Sequence, residues 1–192
     1  MARDRSLISD VVNHLDKCST ADQGLSLATR ALYSLGVHSA YTDLSSSPFE
    51  SGRCMRATKL SLSFMGHTAS KWRNHPDFEA FLRRMTANHG KVQFLLSEDV
   101  SGKVTQDLLD LEQRHKCFRA KIYFSRPMFR LVIQDEQIIA LQHYEGLGVV
   151  PVGDRNDSPL MTLTARGEDS LFRTLVVHFK ELWTEARPVS EL

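Results

Sequence analysis

The chain has 192 residues, 42% hydrophobic and 24% charged, proportions of an ordinary folded domain rather than a disordered or membrane-embedded chain. Its formal net charge of +1 excludes a surface built throughout for nucleic acid but leaves room for a local basic patch. Cys18, Cys54 and Cys117 are odd in number, widely spaced and outside any CxxC or Cys/His pattern, so they imply neither a disulfide framework nor a structural zinc site and fit a reducing cytoplasm.

In chain order, MARDRSLISDVVNHL carries charges but no continuous apolar run and no small-residue cleavage pattern. No later stretch approaches the ~18 apolar residues of a membrane span, so a soluble cytoplasmic protein is expected. Leu7, Ile8, Val11, Val12 and Leu15 form one helical stripe over 6–18 with Ser6 as N-cap. Thr20 caps a second helix with Leu25, Ala28, Leu32 and Leu35 turned inward and Gly36 as its stop. The pair suits a protein-interaction arm, and it lacks the basic recognition face of a DNA-reading helix-turn-helix.

Strand, helix and strand signals follow. VHSAYTDL alternates as a short strand, SSSPFESG is a polar break, and KLSLSFMG alternates with Leu60, Leu62 and Phe64 on one face. HPDFEAFLRRMTANHG is a helix with Pro76 in its first turn, a stripe of Phe78, Phe81, Leu82 and Met85, and Gly90 closing it. KVQFLLSED is the nearly continuous apolar strand of a buried parallel position. TQDLLDLEQRH is a helix through Leu108, Leu109 and Leu111, and FRAKIYF is the next strand. Residues 126–146, RPMFRLVIQDEQIIALQHYEG, read as two strands joined by a charged turn, and LMTLTA is a further strand. A closing helix over about 168–186 starts with Glu168 and Asp169 and buries Phe172, Leu175, Val176, Phe179, Leu182 and Trp183. The class is α/β, with a mixed sheet flanked by helices.

Ligands in α/β folds sit beyond the carboxyl ends of parallel strands. There MGHTASKW offers Thr68, Ser70 and Lys71 to a phosphate or other anion, although it lacks the GK[ST] ending of a Walker loop. Histidines such as His67 and His143 fall into no HxxxH or HExxH spacing, and there is no GxSxG elbow, so metal hydrolysis and acyl transfer have no support and no cofactor is implied. Between Glu112 and Asp135 the chain holds no acid but contains Arg114, Lys116, Arg119, Lys121, Arg126 and Arg130, either a solvated strand face or a nucleic-acid surface.

The order of these elements, with the hairpin FRLVIQDEQIIAL and the closing LFRTLVVHFKELW, resembles one half of a phospholipase D superfamily domain over roughly residues 37–188. The resemblance implies an N-terminal helical extension over 1–36, a phospholipase D-like domain over 37–188 and a tail over 189–192. In that family the hairpin carries His-x-Lys, four residues and Asp: a histidine attacks phosphorus, a lysine holds phosphate oxygens and an aspartate supports them. Here those positions fall on Met128, Arg130 and Asp135. A thioether neither accepts a phosphoryl group nor shuttles a proton, whereas Arg130 keeps the cation.

The resemblance thus implies a domain that has lost catalysis and acts as a ligand-sensing or protein-interaction module in a bacterial regulatory or defence system. Anion contact would fall to Arg130, Lys71, Ser70, Thr68, Asp135 and His143, with a phosphorylated small molecule or nucleotide as ligand. A half-domain further implies a homodimer. The rival readings are a phosphodiesterase or nuclease using His143 or His67, and a nucleic-acid-binding subunit using the basic residues from Arg114 to Arg126.

Overall fold

The computed structural model describes residues 32–41, 44–97, 102–124, 129–143, 160–165 and 170–191. The helix expected over 6–18 and most of the one over 20–35 lie outside them. Its last turn, 32–34, is helical, but Leu32 is exposed rather than turned inward, since it leads into the edge strand of the sheet. Gly36 ends it at φ +87°, where a Cβ would meet the Thr164 carbonyl at 2.7 Å.

Eight strands form one mixed sheet. In chain order the elements are β1 (Val37–Tyr41), α1 (Ser51–Ala57), β2 (Ser61–Gly66), α2 (Ser70–Arg73), α3 (Phe78–Ala87), β3 (Lys91–Ser97), α4 (Gly102–Arg114), β4 (Phe118–Tyr123), β5 (Phe129–Gln134), β6 (Ile138–His143), β7 (Leu160–Thr164), α5 (Leu171–Glu185) and β8 (Arg187–Pro188), before a 3-10 turn at Val189–Glu191. The strand order is β1-β7-β6-β5-β2-β3-β4-β8. β2, β3 and β4 run parallel, and every other pairing is antiparallel.

Helices cover both faces, which is why β3 reads as a continuous apolar run. Leu62, Phe64, Val92, Phe94, Phe118 and Val132 pack beneath α1 to α4. Met65, Leu95, Leu131, Ile133 and Leu163 pack beneath α5, whose Phe172 and Phe179 are buried with Leu175, Val176, Leu182 and Trp183 beside them. The α/β class and the mixed sheet flanked by helices are therefore as expected.

Local departures have local causes. SSSPFESG leads into α1, hidden from propensity by Gly52 inside the helix and a glutamate at its N-cap. The Glu50 carboxylate accepts the Gly52 and Arg53 amides at 2.9 and 3.0 Å, and Arg84 closes the other end by donating to the carbonyls of Met55, Arg56 and Thr58. Leu60 precedes β2 and is exposed. Pro76 also lies outside α3, whose N-cap is Asp77. The left-handed residue after α3 is His89, at φ +54°. Gly90 is required instead for close approach, since a Cβ there would meet Met85 Cε at 2.5 Å and the Leu60 carbonyl at 3.0 Å.

The β5–β6 turn places Asp135 and Glu136 both at φ +52°, with the Gln137 amide donating to the Gln134 carbonyl at 3.0 Å, as in a type I′ turn. Aspartate tolerates that region and glutamate does so poorly. Glu136→Gly is expected to stabilise the fold by about 0.5–1 kcal/mol in urea denaturation. The Lys180 pair it removes, 3.7 Å long and exposed at both partners, offsets only a few tenths of that.

Candidate functional site

The carboxyl ends of β2, β3 and β4 lie together with the start of β5, the end of β6 and the start of β7. The connections 98–101, 125–128 and 144–159 attach at this end, and with them Met128, Tyr144 and Glu145 lie outside the described residues. Side-chain alternation sets what faces where. On β5, Leu131 and Ile133 pack under α5 and Val132 under the α1–α4 layer, so Arg130 shares the face of Val132. It sits one position beyond the Met65–Leu131 pair, beside Gly66.

Arg130 pairs in register with Gln142 and donates from Nη1 to Gln142 Oε1 at 3.1 Å. Gln142 is 3% exposed, so the amide that meets the guanidinium is shielded from water and their bond strengthens accordingly. Sequence reasoning missed Gln142, although a glutamine two residues beyond Ala140 on an otherwise apolar strand face is a readable signal. His143 ends β6 with its backbone opposite Phe129, at the same end of the sheet.

The loop after β2 reaches this end too. The His67 carbonyl accepts the Ser97 amide at 3.3 Å, Ala69 takes φ +51°, and Ser70 and Lys71 open the one-turn helix α2. Arg73 holds the loop in place: its Nε donates to the Thr68 carbonyl at 3.1 Å and its Nη1 to Asp107 of α4 at 3.1 Å. The Arg73 side chain is 7% exposed, and nothing in the loop's sequence marks it as the anchor. Thr68, Ser70 and Lys71 therefore belong to the same end as Arg130, on a loop tied to the α4 layer.

Asp135 does not join them. It lies at the far end of β5, about 17 Å from Arg130 along a strand that rises ~3.3 Å per residue. Its carboxylate accepts the backbone amides of Lys59 at 3.0 Å, Leu60 at 2.7 Å and Ser61 at 2.9 Å. The basic residues also fail to form one face. Arg114 pairs with Glu79, and Lys116 is exposed in the turn before β4. Arg119 and Lys121 lie on the α5 face of β4, where Lys121 Nζ donates to the Trp183 carbonyl at 2.8 Å and rests over the Trp183 ring at 5.3 Å. Arg126 lies outside the described residues, and Arg130 belongs to the opposite face and end.

A second charged cluster occupies a cleft of about 200 Å³ between α2, α3 and α4, lined by Arg73, His75, Glu79, Asp107, Asp110 and Arg114. Buried His115 brings Nε2 to 2.6 Å from Glu79 Oε2. Desolvation pushes the Glu79 pKa up, but the hydrogen bonds from His115 and Arg114 and their charges outweigh it, leaving the group below its ordinary 4.5. A carboxylate with a lowered folded pKa contributes stability above its ordinary value and loses it as pH falls through the folded value. Glu79→Gln is therefore expected to flatten the loss of stability below about pH 4.5, read as the denaturation midpoint against pH. Glu50, which desolvation pushes up but the Gly52 and Arg53 amides, the Ser51 hydroxyl and the His75 charge together lower further, keeps a residual acid slope. Burial raises Cys54 to about 12, so it is no thiolate nucleophile.

Among the described residues no group of His, Cys, Asp and Glu is arranged to hold a metal ion, and no helix is long and apolar enough to cross a membrane. No family model and no curated protein matches the sequence. A solved structure of TrmBL2, an archaeal chromatin protein that shows a novel mode of DNA binding, aligns at TM-score 0.54 and 10% identity over 95% of this chain and 67% of its own, so the two share a fold. Nuc from Salmonella typhimurium, a phospholipase D family member, aligns at TM-score 0.46 and 12% identity over 70% of this chain and 85% of its own. Phosphatidylserine synthase from Haemophilus influenzae Rd KW20 aligns at TM-score 0.47 and 10% identity over 73% and 37%.

Proposed function

We propose that this chain is a non-catalytic phospholipase D-like domain acting as a ligand-sensing or protein-interaction module in a bacterial regulatory or defence system. The observation that carries the reading is the head of β5, where Arg130 is held by the shielded amide of Gln142 two residues after Met128. A guanidinium keeps its fork of donors whether or not a nucleophile stands beside it, so anion recognition outlasts the chemistry. Thr68, Ser70 and Lys71, on the loop pinned by Arg73, add hydroxyls and a second cation at the same end of the sheet, where the backbone of β6 also ends at His143. The ligand class is a phosphorylated small molecule or nucleotide. One half-site per chain makes a homodimer the expected assembly, with the N-terminal segment available to a protein partner.

A thermal-shift screen of nucleotides and phosphorylated metabolites tests the reading, because a ligand that binds only the folded state raises its apparent stability. The expected result is a shift in the wild type that Arg130→Met abolishes. A shift undiminished in Arg130→Met removes the assigned site. Phosphodiester hydrolysis that disappears in His143→Ala or His67→Ala establishes the catalytic reading in its place.

Nucleic-acid binding is a second reading, supported by the fold shared with a DNA-binding chromatin protein. Phosphate contacts release counterions, so a titration across salt decides it: affinity that does not weaken with salt eliminates contacts by Arg114, Lys116, Arg119 and Lys121.

A further inference from the structure

A cavity of about 210 Å³ lies between the C-terminal half of α5 and the sheet, on the opposite face and at the opposite end from Arg130. Its floor is Ser63 of β2, Gln93 of β3 and Ile133 of β5. Its wall is Val176, Phe179 and Trp183 of α5, and Lys91, Lys180 and Glu136 stand at its rim. Gln93 is the unusual member. It is 7% exposed, yet its side-chain amide makes no hydrogen bond with the described residues. The Gln93 amide is not one of the fully buried side-chain polar groups that lack a hydrogen bond among the described residues, so it is not stranded: its donors and acceptor meet solvent through the cavity, where a bound group can replace that water.

The rim adds charge. Lys91 is exposed and makes no ion pair with the described residues, while Lys180 and Glu136 lie 3.7 Å apart and largely offset one another. The excess at the rim is therefore positive. The wall is fixed: Trp183 stacks on Phe179 at 6.0 Å and 20° and carries Lys121 over its ring. A volume of this size is below the roughly 300–1,000 Å³ of drug-sized pockets, so it suits one ring or a short chain.

We propose that this cavity binds a small carboxylate with an apolar body. The carboxylate accepts from the Gln93 amide N–H and the Lys91 ammonium, and the body packs on Ile133, Val176 and Phe179. Neither Arg130 nor the loop after β2 takes part, so the inference stands independently of the phosphate-binding reading.

Benzoate and its neutral isostere benzamide are the probes, titrated by ligand-observed NMR and by calorimetry into wild type, Gln93→Leu and Lys91→Met. Millimolar benzoate is expected to bind the wild type. Benzamide and each variant with benzoate should bind about tenfold more weakly, the loss of one charge-assisted hydrogen bond. Gln93→Leu is expected to melt at or above the wild-type temperature, because its amide has no bond to lose. Three results overturn the proposal: no benzoate binding to the wild type, equal binding by benzamide or by both variants, or a Gln93→Leu protein that melts well below the wild type. Lys91→Met alters an exposed side chain and keeps the binding arm readable whatever Gln93→Leu does.

Discussion

Asp135→Ala is expected to lower unfolding stability by about 2–3 kcal/mol, several times the effect of an ordinary surface substitution. The carboxylate accepts three consecutive amides, Lys59, Leu60 and Ser61, and a hydrogen bond to a charged group contributes more than a neutral one. Alanine leaves those donors to water where they are exposed and strands the half-buried Ser61 amide. It also places a Cβ at φ +52° without the local polar bonding that makes aspartate tolerable there. Asp135→Asn separates the two contributions: it keeps one acceptor oxygen and the left-handed tolerance, so its loss should be about half as large. Urea denaturation of the three proteins checks the order. Equal stability of Asp135→Ala and wild type would mean that the carboxylate does not tie the hairpin to β2.

The same comparison separates two roles for the hairpin. An aspartate that holds backbone amides supports the strand pair from the turn, about five residue steps from Arg130, and its removal acts through stability. Arg130 acts at the other end through its charge. Ligand affinity per folded molecule should therefore follow Arg130 and remain nearly unchanged in Asp135→Asn, because distant sites without shared partners behave additively.

How far the sequence could be read depended on whether each signal was periodic or local. β3, β4 and α3 repeat their apolar positions along the whole element, so Val92, Phe94, Phe81 and Leu82 identify themselves. α1 is seven residues with an internal glycine and a glutamate cap, and its stability comes from Arg84, 26 to 29 residues away, so no window of sequence contains the cause. α2 and β8 are too short for periodicity to register. At the candidate site Arg130 was legible as a cation on a strand. Its partner Gln142 and the loop anchor Arg73 depend on register and on a contact with Asp107 of α4, which only the folded chain supplies. The basic run from Arg114 to Arg130 fails for a related reason: alternation and a change of strand distribute neighbours in sequence over opposite faces.

Phe94→Ala is expected to cost about 3–5 kcal/mol, a large part of a typical domain's stability of roughly 5–15 kcal/mol. Phe94 is wholly buried at the centre of β3, with the rings of Phe64, Phe78 and Phe118 at 5.3, 5.7 and 5.2 Å. Those rings belong to β2, α3 and β4, so truncation opens a cavity that no single element can close by shifting. Phe94→Leu retains most of the volume and should lose about 1–2 kcal/mol. The effect also reaches the candidate site. Phe64 lies 6.1 Å from Trp72 of α2, the residue between Lys71 and Arg73, so loosening the aromatic layer frees the platform under the loop that carries Thr68, Ser70 and Lys71. In urea the midpoint should fall with the slope unchanged, the mark of lost stability rather than altered compactness. The aromatic circular dichroism of the folded variant should weaken, and affinity for any ligand of the Arg130 end should fall with it. A loss below about 1.5 kcal/mol in Phe94→Ala, within the range of volume-conserving core changes, would show that the four rings do not form a close-packed layer.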